Sequence, residues 1–244
     1  MRQFSDVRRA VLLFLLLGLL APDPASAERG VCAGGMKPLG SGRVAYAVVV
    51  ERSAAVYRRP GGGVLARFQP KNLNTYPTVF GVRGAMLDRE CRRSWYRVQL
   101  PMRPNGVTGY VRARGLWLGR VTTRIVVDLS ERRVTLFRGG RRYLSAMAAI
   151  GTPATPTPVG RFYVNQRLVP KDRRGPYGPG AIGISAFSNV LTGWTQGGPI
   201  AIHGTDQPWS IGLPVTNGCL RLHNHVLKRL FRATPAGTPV LVRR

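Results

Sequence analysis

The sequence predicts a mainly β fold that is divided into two modest domains. The chain has 244 residues, which is long enough for two domains with hydrophobic cores of their own. It contains 30 glycines and 19 prolines, a composition typical of short strands joined by many turns rather than of long helices. Short apolar segments separated by turn signals recur along most of its length, which supports the same conclusion.

The first 27 residues have the organisation of a secretory signal peptide. Three arginines form a basic start, and residues 10–21 form an apolar core that is too short to span a bilayer comfortably. Two prolines follow, and Ala-Ser-Ala at 25–27 has the small-residue pattern of a cleavage site. We expect residues 1–27 to be a cleaved signal peptide and the protein to be exported to the cell wall or periplasm. An uncleaved anchor is the alternative.

The formal net charge is +27, and arginine carries nearly all of the positive charge. Such a surface should adhere to polyanions. Export makes nucleic acid an unnatural partner, so we expect anionic cell-wall polymers in that role. We expect a monomer without a cofactor or a bound metal.

Three cysteines are an odd number for an exported protein. Cys32 and Cys91 lie in the N-terminal half, and Cys219 lies alone near the C-terminus. The simplest pairing is a Cys32–Cys91 disulfide, which leaves Cys219 as a free thiol.

Residues 28–42 are rich in glycine and are expected to form a linker. Residues 43–118 then read as short strands with glycine-rich and Pro-Asn-Gly turns between them. The run from Trp95 to Val111 resembles the closing hairpin of bacterial SH3-like domains. The resemblance implies a small β-barrel that either binds wall peptides or only supports its neighbour. The predicted strands are 44–50, 55–57, 64–68, 96–100 and 109–111.

A short joint over 119–122 is expected to lead into the second domain. Its predicted strands are 123–129, 133–137, 143–150, 199–203 and 238–242. Residues 165–199 carry many glycines and prolines with scattered aromatics, and they predict a long irregular segment that acts as a substrate-binding lid. Asn224 is expected to cap a short helix that runs to Phe231.

A histidine and a cysteine with glycine neighbours occur sixteen positions apart, in Ile-His-Gly-Thr at 202–205 and Thr-Asn-Gly-Cys-Leu-Arg-Leu at 216–222. A cysteine nucleophile with a histidine base is the smallest set of side chains that supports nucleophilic acyl transfer. Together with Thr-Pro-Val-Gly-Arg-Phe at 157–162, these motifs resemble the YkuD-type L,D-transpeptidase catalytic domain over residues 121–243. The resemblance implies a β-sandwich domain with a short helix after the catalytic cysteine. It also implies a cysteine acyl-enzyme that cuts peptidoglycan stem peptides between the L-centre of diaminopimelate and D-alanine.

The resemblance and elementary chemistry assign roles to individual residues. Cys219 is the expected nucleophile, and His203 is the expected base and later acid. The resemblance implies that the Gly204 carbonyl fixes the histidine tautomer, with Asp206 as a local alternative. The backbone N–H groups of Gly218, Cys219 and Asn217 are the expected oxyanion donors. The substrate-binding side chains expected at the site are Arg221, Thr205, Tyr177 and Trp194.

Two of these assignments keep alternatives. Arg221 would bind a stem-peptide carboxylate or would form a structural ion pair. Asn217 stands where many family members have a histidine, so the sequence departs from the commoner pattern beside its own nucleophile.

The overall activity also has alternatives. The acyl-enzyme can react with an amine of a neighbouring stem, which gives a crosslink, or with water, which gives an L,D-carboxypeptidase. A wall-binding protein with weak catalysis is a further alternative. A zinc peptidase built on His203, His223 and His225 and a two-carboxylate glycosidase are less well supported by the spacing of the residues.

Overall fold

The computed structural model describes residues 35–244, and these fold into two eight-stranded sheets and one two-stranded sheet. The predicted signal peptide and residues 28–34 of the predicted linker, which include Cys32, lie outside the described residues. The Cys32–Cys91 pairing therefore stays a prediction. The described part contains no helix that is long and apolar enough to cross a membrane.

The N-terminal half forms the first sheet, in the order β4-β3-β7-β6-β5-β2-β8, with β1 paired to β5. Its apolar side chains enclose a core that includes the fully buried Val48, Phe80, Val98 and Leu100. The strands are β1 (Met36–Pro38), β2 (Ala45–Val50), β3 (Ala54–Tyr57), β4 (Val64–Phe68), β5 (Val79–Leu87), β6 (Arg93–Gln99), β7 (Thr108–Arg112) and β8 (Leu116–Val121).

Three features of this half differ from the sequence predictions. The central strand β5 was not predicted, because Gly81 and Gly84 interrupt its apolar pattern, and glycine within a strand weakens the signal. Part of the predicted linker forms β1, which pairs with β5. The predicted joint over 119–122 is mostly strand, since β8 runs to Val121 along β2. The SH3-like character of this half stays a prediction.

The C-terminal half forms the second sheet, in the order β11-β10-β9-β18-β13-β14-β15-β17. Strands β12 and β16 pair separately. The elements are β9 (Thr123–Asp128), β10 (Arg133–Arg138), β11 (Arg141–Met147), β12 (Ile150–Gly151), β13 (Gly160–Leu168), β14 (Ala181–Phe187), β15 (Pro199–His203), β16 (Pro214–Thr216), β17 (Leu220–Arg221), α1 (Asn224–Ala233) and β18 (Pro239–Arg243).

The mainly β fold with a short helix after the cysteine motif is confirmed. The predicted irregular segment over 165–199 is wrong, because β13 continues into it and the buried strand β14 crosses its middle. The small residues of β14 weaken its strand pattern in the sequence, but the packing of this strand against its neighbours requires small residues. A Cβ added to Gly183 would lie 2.6 Å from Cγ of Gln166, and the Ser185 hydroxyl accepts a hydrogen bond from the Tyr163 N–H. Two shorter loops remain, over 169–180 and 188–198.

The two large sheets meet where β5 lies against β13. The ring of Tyr163 packs on Gly81, where any added Cβ would approach it to 2.9 Å, and its hydroxyl donates a 3.0 Å hydrogen bond to the Val79 carbonyl. The Gln99 side chain donates to the Arg161 carbonyl at 2.8 Å. These contacts are buried and specific, so they hold the two halves in one arrangement.

Candidate active site

Neighbouring strands bring the histidine and the cysteine to one face of the second sheet. Strands β15 and β17 run parallel, with Ile202 beside Leu220 and His203 beside Arg221. Because side chains alternate along a strand, His203 and Arg221 share a face, and Cys219, two residues before Arg221 and just ahead of β17, follows the same alternation. Leu220 and Ile202 point the other way into the core, where both are fully buried. The alternation of apolar and functional residues thus positions the reactive groups.

His203 is buried, with 5% of its surface exposed, and its ring is oriented by the backbone. Its Nδ1 atom lies 2.6 Å from the carbonyl oxygen of Gly204. A carbonyl only accepts hydrogen bonds, so Nδ1 carries the proton and Nε2 is left with a lone pair. The carbonyl at Nδ1 is the one implied by the family resemblance, and the Asp206 carboxylate does not take that position.

Burial is the largest influence on the protonation of His203 and lowers its pKa to about 4. The positive charge of Arg221 acts in the same direction. The Gly204 and Pro176 carbonyls and the charge of Asp206 raise the pKa without offsetting burial. At neutral pH the ring is therefore uncharged and able to accept a proton.

Cys219 is a free thiol that remains partly exposed. Burial raises the pKa of its thiol, while the backbone of Ala201 and the charge of Arg221 lower it. The lowered pKa of His203 and the raised pKa of Cys219 both favour the uncharged form of the side chain. The site therefore holds a thiol and a neutral imidazole rather than a thiolate and an imidazolium.

The turn that presents Cys219 depends on Gly218 and Thr216. Gly218 has φ +105°, a conformation that favours glycine, and an added Cβ would lie 3.0 Å from Cδ1 of Ile200. The Thr216 hydroxyl donates to the Cys219 carbonyl at 2.6 Å and accepts the Gly218 N–H at 3.1 Å. The Gly218 N–H, which was expected to stabilise an oxyanion, therefore has another acceptor. The N–H groups of Asn217 and Cys219 remain at the turn for that purpose.

Arg221 lies half-buried beside the cysteine and is held by neutral partners. Its Nη1 atom donates to the Gln207 side chain at 2.7 Å and lies 3.5 Å from the Ser210 hydroxyl. Within residues 35–244 the salt bridges involve Arg92 and Arg243, and Arg221 has no carboxylate partner. The structural ion pair is therefore excluded for the described residues, and the guanidinium keeps donors for an anionic substrate group.

Asn224 does not cap the helix as predicted. It is the first residue of α1, where His223 occupies the N-cap position without a side-chain cap bond. The Asn224 side chain instead accepts the Thr205 N–H at 2.8 Å and donates to the Thr205 carbonyl at 3.0 Å. This amide clamp fixes the chain just after His203 and Gly204. The clamp is not evident from the sequence, because nineteen positions separate the partners and the capping pattern accounts for Asn224 equally well.

Thr205 was expected to bind substrate, but its side chain is only 2% exposed. Its hydroxyl accepts the Gln207 N–H at 2.9 Å and thereby shapes the turn that holds Arg221. The role of Thr205 is therefore structural in this arrangement. Glycine is required beside it, because an added Cβ on Gly204 would lie 2.3 Å from the Asn224 amide oxygen.

The two aromatic residues expected to bind substrate occupy different surroundings. The Tyr177 ring, in the 169–180 loop, packs edge-on against His203 with 5.0 Å between ring centroids. Trp194 is half exposed in the 188–198 loop, and among the described residues it is Tyr177, not Trp194, whose ring contacts His203. The 188–198 loop instead contacts the connection between β6 and β7, where Arg103 donates to the carbonyls of Ser188 and Gly197.

A metal centre is not formed by the part of the chain that the structure describes, where no three His, Cys, Asp or Glu side chains come together to hold an ion. His223 and His225 stack on one another with 5.7 Å between ring centroids at the start of α1.

Comparisons with known proteins agree with the motifs at this site. Residues 122–242 match the family model of the L,D-transpeptidase catalytic domain, YkuD. An inferred L,D-transpeptidase of Bacillus subtilis, YkuD, is 34% identical over 120 residues, which are 49% of this chain and 65% of that protein. The inferred L,D-transpeptidase YbiS of Escherichia coli is 52% identical over 40 residues, or 16% of this chain and 13% of that protein. The chain thus spans less than two thirds of these relatives.

Among solved structures, an Enterococcus faecium L,D-transpeptidase is 30% identical to this chain, with a TM-score of 0.37. The match covers 50% of this chain and 49% of that one.

Proposed function

Since residues 122–242 form an L,D-transpeptidase catalytic domain of the YkuD family, with a role related to peptidoglycan, we propose that the chain is an exported enzyme that crosslinks the cell wall through a cysteine acyl-enzyme. The observation that supports this proposal is the β15–β17 register, which pairs His203 with Arg221, two residues after Cys219. The Gly204 carbonyl orients the His203 ring through Nδ1, so we propose Nε2 as the base.

In the proposed reaction, the Cys219 sulfur attacks the carbonyl at the L-centre of diaminopimelate in a stem tetrapeptide. His203 Nε2 takes the thiol proton as the carbon–sulfur bond forms. Proton transfer accompanies the attack because the thiol and the imidazole are both uncharged beforehand. The N–H groups of Asn217 and Cys219 stabilise the oxyanion; one such donor typically contributes about 3 kcal/mol. The intermediate then collapses, His203 returns the proton to the leaving nitrogen, and D-alanine departs.

The resulting thioester reacts with an amine of a neighbouring stem. His203 takes a proton from the attacking nitrogen and returns one to the sulfur, so the enzyme is regenerated and an amide crosslink remains. Water in place of the amine would give a carboxypeptidase. The 169–180 loop supports transfer, because Tyr177 and Pro176 already surround the His203 ring and reduce the space for water.

Arg221 is proposed to bind a stem-peptide carboxylate next to the scissile bond. Its guanidinium has no acidic partner within residues 35–244, and Gln207 orients it through one nitrogen. An arginine in that state can still form a bidentate pair with a carboxylate.

We further propose that residues 1–27 direct export to the wall or periplasm, that the arginine-rich surface adheres to anionic wall polymers, and that the protein is a monomer.

The test is incubation of the purified protein with disaccharide-tetrapeptide, followed by mass analysis of the products. Loss of D-alanine with formation of crosslinked dimer is the expected result. Cys219→Ala and His203→Gln should abolish both products, while His225→Gln, which removes an exposed imidazole, should retain them. D-alanine loss without dimer would replace transfer by hydrolysis. Turnover that survives Cys219→Ala would overturn the cysteine mechanism.

A further inference from the structure

A cleft of about 420 Å³ lies between the two large sheets and is lined by four arginines. Arg83 extends from β5, Arg124 from β9, Arg161 from β13, and Arg43 from the segment before β2. All four retain solvent exposure. No aspartate or glutamate is found among the described residues that line the cleft. The cleft therefore concentrates positive charge that its own walls do not neutralise.

The floor of the cleft is rigid. Tyr163 packs on Gly81 there, and an added Cβ on Gly237 would lie 2.3 Å from the Cβ of Ala47 on the opposite sheet. The Gln99 side chain joins the sheets at this point, since it donates to the Arg161 carbonyl and accepts a hydrogen bond from the Arg83 guanidinium. The backbone positions from which the arginines extend are therefore fixed, and the Arg83 guanidinium is also oriented by Gln99, which lowers the entropic cost of binding a ligand there.

Three of the four cleft arginines, Arg83, Arg124 and Arg43, have neutral neighbours. The Arg124 guanidinium lies 4.9 Å from the centre of the Phe137 ring, and the Arg43 side chain lies over Gly140. Burial, and next the positive charge of Arg161, lower the pKa of Arg83, and the charge of Arg97 adds to this effect. The like charges of Arg83 and Arg161 therefore repel one another, and an anion bound between them would remove the repulsion.

We propose that this cleft is a binding site for a ligand with closely spaced phosphate groups, separate from the cysteine site. A guanidinium binds phosphate oxygens through two parallel hydrogen bonds, and four such forks around one opening match several linked charges better than a single carboxylate. The volume is that of a ligand site rather than of a single bound ion. Two sources share this chemistry, namely a small soluble polyphosphate and a phosphodiester polymer that passes through the open cleft.

The experiment is calorimetric titration of the full chain with sodium tripolyphosphate and, separately, with poly(glycerol phosphate). One tripolyphosphate site per chain is expected. Arg83→Gln and Arg161→Gln should each weaken binding about tenfold, as expected for loss of charge-assisted hydrogen bonds. Arg58→Gln and Arg89→Gln are matched controls, because both remove an exposed arginine that does not line the cleft, and they should change the affinity by less than about twofold.

The polymer distinguishes the two sources. Binding of poly(glycerol phosphate) with the same sensitivity to Arg83→Gln identifies a phosphodiester polymer, and binding of tripolyphosphate alone identifies a small ligand. Cys219→Ala should bind as the wild type does, so the outcome does not depend on the proposed catalysis. A melting curve shows that each variant is folded. No tripolyphosphate binding, or equal losses in the cleft and control variants, would overturn the site.

Discussion

The buried imidazole of His203 makes stability depend on pH in a direction that the structure fixes. Its native pKa is about 4, and the ordinary value that applies to the unfolded chain is 6.5. Between these values the unfolded state binds a proton that the native state does not, so the free energy of unfolding rises with pH across this range and falls as the solution is acidified.

The size of the effect follows from the same two values. A shift of this size corresponds to about 3 kcal/mol at its limit, and about 2 kcal/mol of it should be lost between pH 7 and pH 5. His203→Gln removes the titrating group and retains an amide that can donate to the Gly204 carbonyl. We therefore expect the variant to lose about 2 kcal/mol less stability than the wild type over that interval.

The assay is urea denaturation at several pH values, followed by tryptophan fluorescence. The readout is the change in unfolding free energy with pH, which separates titration of His203 from any constant cost of the substitution. His225→Gln controls for the loss of an imidazole as such, and it should keep the wild-type dependence because His203 is intact. Identical dependence in the wild type and His203→Gln would refute the reasoning.

Three further expectations follow from the site. Gly218→Ala should destabilise the protein by about 1–3 kcal/mol in urea, because φ +105° strains any residue with a Cβ; a change below about 0.5 kcal/mol would contradict the strain. Asn224→Ala should cost about 1–3 kcal/mol and reduce D-alanine release, because it leaves the Thr205 backbone without its partners; full activity would show that the clamp does not position His203. The rate of Cys219 alkylation by iodoacetamide should keep rising beyond about pH 9, since burial raises the thiol pKa; a plateau near neutral pH would indicate a preformed thiolate.

The parts of the fold that are encoded locally could be predicted from the sequence. Strands β4 and β15 agree with their predicted bounds, because turn residues border them on at least one side. Strands β5 and β14, two central strands rich in small residues, were not predicted. Their glycines and serine serve contacts with distant partners such as Tyr163 and Gln166, and local pattern carries no information about those partners.

The same division applies to the candidate site. The motifs pointed to Cys219 and His203 because the reactive residues and their glycines lie close together in sequence. The clamp of Asn224 on Thr205 and the engagement of the Gly218 N–H by Thr216 are hydrogen bonds of the folded chain. They determine which groups remain for substrate, and sequence spacing alone does not show them.

The most direct test of the central claim is to trap the acyl-enzyme. The protein is mixed with disaccharide-tetrapeptide, quenched in acid within the first turnover, digested and mapped by mass spectrometry. The account predicts a disaccharide-tripeptide adduct on the peptide that contains Cys219, absent in Cys219→Ala and not formed in His203→Gln. An adduct on another residue, or product release with no adduct on Cys219, would contradict it.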